Sequence, residues 1–178
     1  MKTLIRPLLL FVSLTVLISS CSKDEEGVKD RIVIDGTEIG LSQGFIIAYG
    51  LETDDGGESG SIYEILLTTD GVDFNGEVLA GEGQVMDIAL FSASTIELTP
   101  GTYPVETDFL VSTTIYAAAL DGDFDLEQGS TYLVEEGSVT LSRSGSTWTL
   151  KFEFTMDDGV GGSFEVSGSF QGHLVEFN

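Results

Sequence analysis

The feature that most restricts the fold of this chain is a strict alternation of apolar and polar side chains over residues 147–155. The apolar positions of this segment are Trp148, Leu150, Phe152 and Phe154. The positions between them are threonine, lysine and glutamate. A period of two places all four apolar side chains on one face of an extended chain, so the segment is predicted to be a half-buried antiparallel strand.

Neighbouring segments extend this strand into a three-stranded C-terminal meander. Residues 138–142 alternate in the same way, and residues 143–146 have the composition of a hairpin turn. Residues 163–170 form a third alternating segment after a glycine-rich turn at residues 157–162. Beyond Gly172 the apolar phase changes, which predicts a β-bulge near that glycine.

The upstream part of the chain contains further short segments of strand-like composition separated by turn residues. Asp35-Gly36 is a dipeptide typical of tight hairpins, and Pro100-Gly101 fits the two central positions of a type II turn. The strand-like segments are residues 31–34, 37–41, 45–51, 62–69, 85–91, 113–120 and 131–134. About ten short strands predict an all-β fold, either an antiparallel β-sandwich or a closed β-barrel.

The N-terminal segment has the three parts of a secretory signal. Lys2 and Arg6 supply positive charge, residues 8–18 are apolar, and two small serines follow. As a helix the apolar run would reach only ~17 Å, whereas the apolar core of a bilayer is roughly 30 Å thick. Residues 1–20 are therefore predicted to be a cleaved signal peptide rather than a permanent membrane span.

The signal ends in the sequence Ile18-Ser19-Ser20-Cys21, which is aliphatic, small, small, cysteine. This sequence resembles the lipobox of bacterial lipoproteins. The resemblance implies that Cys21, the only cysteine, carries diacylglycerol on its thiol and a further acyl chain such as palmitate on its amine. Two or three acyl chains anchor a protein stably, so the implied partner is a lipid bilayer. The alternative is an ordinary signal peptide with a coincidental cysteine.

The residues directly after the cysteine are Ser22, Lys23, Asp24, Glu25 and Glu26. A basic residue followed by acidic ones at this distance from a lipidated cysteine resembles the surface-export signal of lipoproteins in Bacteroidota-type bacteria. The resemblance implies a protein anchored in the bacterial outer membrane and exposed at the cell surface. The alternative is a solvated acidic tether, which residues 21–30 would form in either case.

The remainder of the chain is predicted to be one strongly acidic domain. Removing residues 1–20 takes two of the seven basic residues and none of the thirty acidic residues, which leaves a formal charge of −25. This charge argues against nucleic acid or an anionic headgroup surface as a partner. Since no linker or repeat divides it, the segment 31–178 is predicted to be a single all-β domain.

Two hairpin segments, residues 98–103 and 137–145, carry a second resemblance, together with the threonine-rich strand and the ending at residues 168–172. They resemble small β-rich lipoproteins of uncharacterised function in Bacteroidota. The shared features are turn and strand patterns, so the resemblance implies an all-β fold and transfers no functional residues.

The candidate metal ligands are Asp121, Asp123 and Asp125, three alternating carboxylates in an acidic run. Such carboxylates can converge on Ca²⁺ through oxygen ligands. The run fails the EF-hand pattern because Leu126 and Tyr132 occupy its sixth and twelfth positions. A polar turn explains the run equally well, so no cofactor is predicted and Ca²⁺ is left open.

No catalytic motif is found in the sequence. His173 is the only histidine, so two imidazoles or a Cys/His set cannot bind a metal within one chain. No serine lies in a G-x-S-x-G turn. Thirty acidic residues leave a carboxylate pair of the glycosidase type open. The chain is therefore predicted not to be an enzyme.

The predicted function is a non-catalytic or accessory β domain that binds a glycan, a peptide or an envelope protein. Its candidate aromatic contacts are Tyr49, Tyr63, Tyr116, Tyr132 and Trp148, although the phase of Trp148 favours the core. The alternatives are a structural subunit of an outer-membrane complex, a carboxylate-dependent hydrolase and a calycin-like carrier of small apolar ligands. The last of these needs a barrel with an unfilled interior.

Overall fold

The computed structural model describes residues 30–106 and 112–177, and these residues are built from β-strands and turns. The predicted signal peptide, Cys21 and residues 22–26 lie outside the described residues, so the predictions made for them stay predictions. Within the two described ranges, no helix has the length and apolarity needed to cross a membrane.

The described chain forms twelve strands, which confirms the predicted all-β class. They are β1 (Arg31–Ile34), β2 (Thr37–Gly40), β3 (Gln43–Thr53), β4 (Ser59–Thr68), β5 (Val72–Phe74), β6 (Leu79–Ser92), β7 (Gly101–Pro104), β8 (Thr113–Asp123), β9 (Gln128–Ser144), β10 (Thr147–Asp157), β11 (Ser163–Gly172) and β12 (Val175–Phe177). The meander β9–β10–β11 has the predicted antiparallel pairing.

All twelve strands belong to one curled, half-barrel sheet. The main path runs β12-β3-β4-β6-β8-β9-β10-β11-β1-β2, with β5 added to β6 and β7 added to β9. The strand pairs are antiparallel except for β12, which pairs with β3 in parallel. Only two residues separate β11 from β12. This parallel pairing therefore brings the end of β11, near one end of the strand path, close to β3, near the other end.

Local predictions at the turns have mixed outcomes. The hairpin at Asp35-Gly36 is confirmed, with φ angles of +46° and +79°. The prediction of a type II turn at Pro100-Gly101 is wrong, because Gly101 lacks a positive φ and is already the first residue of β7. The bulge near Gly172 is also wrong, because the apolar phase changes where the chain leaves β11 and joins β3 as β12.

The main core fills the concave side of the sheet. The apolar face predicted for residues 147–155 is buried there, with Leu150 and Phe152 at most 1% exposed. Strands β4, β6 and β8 contribute the facing side chains, among them Ile65, Met86 and Ala117. Burying a side chain of this size stabilises the fold by ~1.5–3 kcal/mol, so this face contributes directly to the stability of the sheet.

A second, smaller cluster lies on the convex face of the sheet. Phe45, Leu66 and Val85 face outward from β3, β4 and β6, and the hairpin that contains β5 covers them. Phe74 and Phe177 close this cluster, with their ring centroids 5.3 Å apart. The hairpin covers one part of the convex face only, and the outward side chains of Tyr49 on β3 and Tyr116 on β8 are exposed.

Candidate functional site

Four side chains on the accessible part of the convex face form a group that we call the tyrosine–carboxyl strip: Tyr49, Glu64, Asp87 and Tyr116. They come from four adjacent strands, β3, β4, β6 and β8. Glu64 pairs with Ala89, and Ala89 pairs with Tyr116, so these three positions form one row across the sheet. At ~4.8 Å between strands, the Cα atoms of Glu64 and Tyr116 lie about 10 Å apart.

Irregularities in strand pairing position both tyrosines. Tyr49 is the extra residue of a bulge in β3, between Ala48 and Gly50. A second register shift lies beside Tyr116, where β8 has one residue more than β6. Bulges of this kind redirect side chains. The two tyrosine side chains are 61% and 38% exposed and flank the carboxyl groups of the strip.

Asp87 is the carboxyl group of the strip whose pKa is raised. Burial, together with the smaller effects of the charge and hydrogen bond of Glu64, raises the pKa of Asp87 to about 8. The Oδ1 atom of Asp87 is buried, and no N–H or O–H group of the described residues donates to it. Two carboxyl groups can hydrogen-bond only when one is protonated, so a protonated Asp87 can donate to Glu64.

The tyrosines of the strip stay neutral over the physiological range. The hydroxyl group of Tyr49 donates to Oε2 of Glu64, and this bond raises the pKa of Tyr49 to about 12. Burial also raises the pKa of Tyr116, with smaller effects from the charges of Asp87 and Glu64. The strip therefore presents two aromatic rings, phenolic hydroxyls and carboxyl oxygens on one face.

The spacing of the carboxyl pair differs from that of glycoside hydrolases. Retaining enzymes hold their two carboxyl groups roughly 5–5.5 Å apart, and inverting enzymes hold them farther apart. Glu64 and Asp87 are close enough to hydrogen-bond directly. They also lie on a convex sheet face. This arrangement fits hydrogen bonding to a ligand better than attack on a glycosidic bond.

The structure places the five aromatic residues that the sequence offered as candidate binding contacts in three different environments. Tyr63 and Trp148 are buried in the main core, with the Arg143 guanidinium 5.0 Å from the Trp148 ring. Tyr132 is half-buried at one end of the sheet. Only Tyr49 and Tyr116, among these five, come together on the convex face. Glu64 and Asp87 are not predicted from the sequence, where their signal is an acidic residue inside an otherwise apolar central strand.

The acidic run ends β8 and enters the following turn. Asp121 and Asp123 belong to β8, Asp125 lies beyond it, and Oδ1 of Asp123 accepts the backbone N–H of Leu126. The described residues hold no group of three or more histidine, cysteine or acidic side chains arranged to bind a metal. Calcium binding here stays a prediction. His173 is exposed, with Nδ1 3.4 Å from the carbonyl oxygen of Ser146.

No protein-family model matches this chain, and searches of curated proteins and of solved structures return no match. Function is therefore inferred from the sequence and from the geometry of the tyrosine–carboxyl strip.

Proposed function

We propose that this chain is a lipid-anchored lipoprotein of the bacterial outer membrane, exposed at the cell surface, whose β domain binds a saccharide without catalysis. The tyrosine–carboxyl strip is the observation that carries the binding function. The lipobox-like sequence ending at Cys21 supports the anchor, and the acidic residues 22–26 support surface export.

The chemistry of the strip suits a neutral saccharide. Sugar rings have apolar C–H faces that stack on aromatic rings, and Tyr49 and Tyr116 supply two such rings. Sugar hydroxyls donate hydrogen bonds, and the half-buried carboxyl group of Glu64 accepts them between the two rings. An anionic glycan would be repelled by this group and by the large negative charge of the domain.

A second candidate is a docking face for a protein of an outer-membrane complex. Leu133 on β9 supports it, because this side chain is 49% exposed. It pairs with Ala118, two residues from Tyr116, and so extends the apolar part of the convex face. Cross-linking on intact cells separates this candidate from saccharide binding, since only a docking face would give a reproducible protein adduct.

A glycan panel with residues 22–178, which leave out the lipidated Cys21, tests the saccharide proposal. Every described strand pair and both apolar clusters lie within this range. We expect Tyr49→Ala and Tyr116→Ala each to weaken binding about tenfold, which is the size of one lost stacking contact.

Leu126→Ala is the matched control, because Leu126 is 62% exposed but lies in the turn between β8 and β9. Calorimetric titration with the glycan that binds most tightly in the panel gives the affinity of all three variants. The proposal is wrong if no neutral saccharide saturates the protein, or if the tyrosine variants bind as well as the control.

A further inference from the structure

A cavity lies at one end of the concave side, across the sheet from the tyrosine–carboxyl strip. Its volume is about 430 Å³, which is within the ~300–1,000 Å³ usual for small-molecule sites. It opens between the β1–β2 hairpin, the C-terminal end of β8 and the N-terminal end of β11. We call it the mouth cavity, and the lining residues that matter here are Ile34, Ile39, Gln84, Asp121, Tyr132 and Phe164.

The inner wall of the mouth cavity is apolar and only partly covered. Ile34, Ile39, Tyr132 and Phe164 are half-buried and rest on the main core. The rings of Tyr132 and Phe164 meet edge to face, with centroids 5.0 Å apart. A ligand with an apolar body could cover these side chains further without displacing the core.

A hydrogen-bond acceptor lies in the same wall. Gln84 is on β6, and its Oε1 atom is buried without a donor among the described residues. Its backbone neighbour across the sheet is Asp121, which also lines the cavity. An unpaired buried amide oxygen is unfavourable, so a ligand N–H group that reached it would gain a hydrogen bond that the protein alone does not make.

The polar lining of the cavity is anionic. Asp35, Asp121 and Asp158 come from three different parts of the chain and line it together. Backbone N–H groups of Val160 and Gly162 lower the pKa of Asp158, which keeps this exposed carboxylate ionised. The described lining contains no lysine, arginine or histidine, so no basic side chain of the lining offsets these charges.

We propose that the mouth cavity binds a small amphiphilic amine. Its apolar body lies against the four half-buried side chains, its ammonium group is held by the Asp121 carboxylate and by Oε1 of Gln84, and Asp35 and Asp158 add negative charge to the lining. The complementary charge selects a cation over an anion of the same shape. The site is separate from the saccharide site proposed for the convex face and does not depend on it.

Three probes with one apolar body test the proposal: 4-phenylbutylamine, 4-phenylbutanol and 5-phenylpentanoate. They differ only in a cationic, neutral or anionic head group. We expect saturable binding of the amine to residues 22–178 by calorimetry, binding about tenfold weaker for the alcohol, and weaker still for the carboxylate. Amine binding should weaken as salt is added.

Variants locate the site and separate it from the convex face. Gln84→Leu and Asp121→Asn should each weaken amine binding about tenfold relative to Asp73→Asn, an exposed control outside the cavity lining. Tyr49→Ala should leave amine binding unchanged. If Gln84→Leu fails to fold, the amine affinity of Asp121→Asn relative to Asp73→Asn tests the proposal instead. Equal affinity for the three probes, no saturable binding, or equal effects of Asp121→Asn and Asp73→Asn would overturn the proposal.

Discussion

At the scale of single residues, Asp87 links the stability of the fold to pH. Its pKa rises from the ordinary 3.8 to about 8 because of burial and then Glu64. Below pH ~4 both the folded and the unfolded chain hold the proton. Between pH ~4 and about 8 only the folded chain holds it, so the free energy of unfolding falls as pH rises through this window.

The substitution Asp87→Asn should remove this component of the pH dependence. Tyr49, Glu64 and Tyr116 are the titratable groups facing this position, and the two tyrosines stay neutral between pH 5 and 9. We expect urea denaturation to show that the wild type loses roughly 4 kcal/mol more than Asp87→Asn between these pH values.

Asp73→Asn controls for the loss of one negative charge from an acidic protein, since Asp73 is exposed on β5. Its pH dependence should match that of the wild type. Equal pH dependence of Asp87→Asn and the wild type would show that the carboxyl pair does not hold its proton in the folded state.

Gly168 supports the core by having no side chain. A Cβ at this position in β11 would meet the ring of Phe152 and would lie 2.7 Å from the carbonyl oxygen of Arg31. Gly168→Ala should therefore lower the free energy of unfolding by ~1–3 kcal/mol through overpacking.

Gly40 provides the matched control for this substitution. It lies in β2, and a Cβ there has no heavy atom within 4 Å. Gly40→Ala should change the free energy of unfolding by less than ~0.5 kcal/mol. If both alanine variants unfold at the same urea concentration, the close approach of Phe152 to Gly168 is not a constraint on the fold.

The sequence predicted which side chains are buried in those strands that have one polar face. Trp148 and Phe152 alternate with polar residues, and both are buried as expected. Glu64 and Asp87 were missed because their strands are apolar on both faces, so alternation does not reveal which way an acidic residue points. Their contact depends on the pairing of β4 with β6, which no local pattern encodes.

At the scale of elements, β9 shows how an irregular strand escapes a prediction based on the alternation of apolar and polar residues. The sequence predicted separate strands at residues 131–134 and 138–142, whereas β9 runs unbroken over Gln128–Ser144. Its register against β10 shifts by one residue near Glu136, and Gly137 has a φ of +130°. The bulge reverses the apolar phase, and the sequence alone could not distinguish it from a turn.

The connection between β11 and β12 should be sensitive to the loss of one side chain. Leu174 lies in this connection and is 1% exposed. A Cβ on Gly44 of β3 would lie 2.6 Å from Cδ2 of Leu174, so the two segments are in close contact. Leu174→Ala should lower the free energy of unfolding by ~2–5 kcal/mol and speed hydrogen exchange in β3.

Val175→Ala is the control for this position. Val175 is the next residue and is 42% exposed, so its truncation should cost less than ~0.5 kcal/mol. Urea denaturation and amide exchange measure both variants. Unchanged exchange in β3 of the Leu174 variant would show that this side chain does not hold β12 against β3.

At the scale of the whole molecule, the sequence predicted the class but could not choose between sandwich and barrel. That choice depends on which distant strands meet. Here Phe45 pairs with Val175, across almost the entire described chain. Short-range alternation and turn residues determine that strands form, whereas only the packing of the complete core selects this pairing.

Surface display can be tested on intact cells. The proposed lipoprotein should be removed by added protease without lysis, and mass spectrometry should find residue 21 acylated. Replacing Lys23, Asp24, Glu25 and Glu26 with alanine should keep the acyl groups but protect the protein from protease. Cleavage of that variant on intact cells, or an unmodified Cys21, would contradict the proposed location.

The short strand β12 also has a protective consequence. Along the main path the two end strands are β12 and β2, with only 3 and 4 residues. Behind β12 lies β3, which has 11 residues. A copy clipped before residue 175 would leave that long edge with unpaired backbone groups, which can recruit a second copy into a continuous sheet. Proteolytic loss of this small segment would therefore favour the aggregation of a strongly acidic domain.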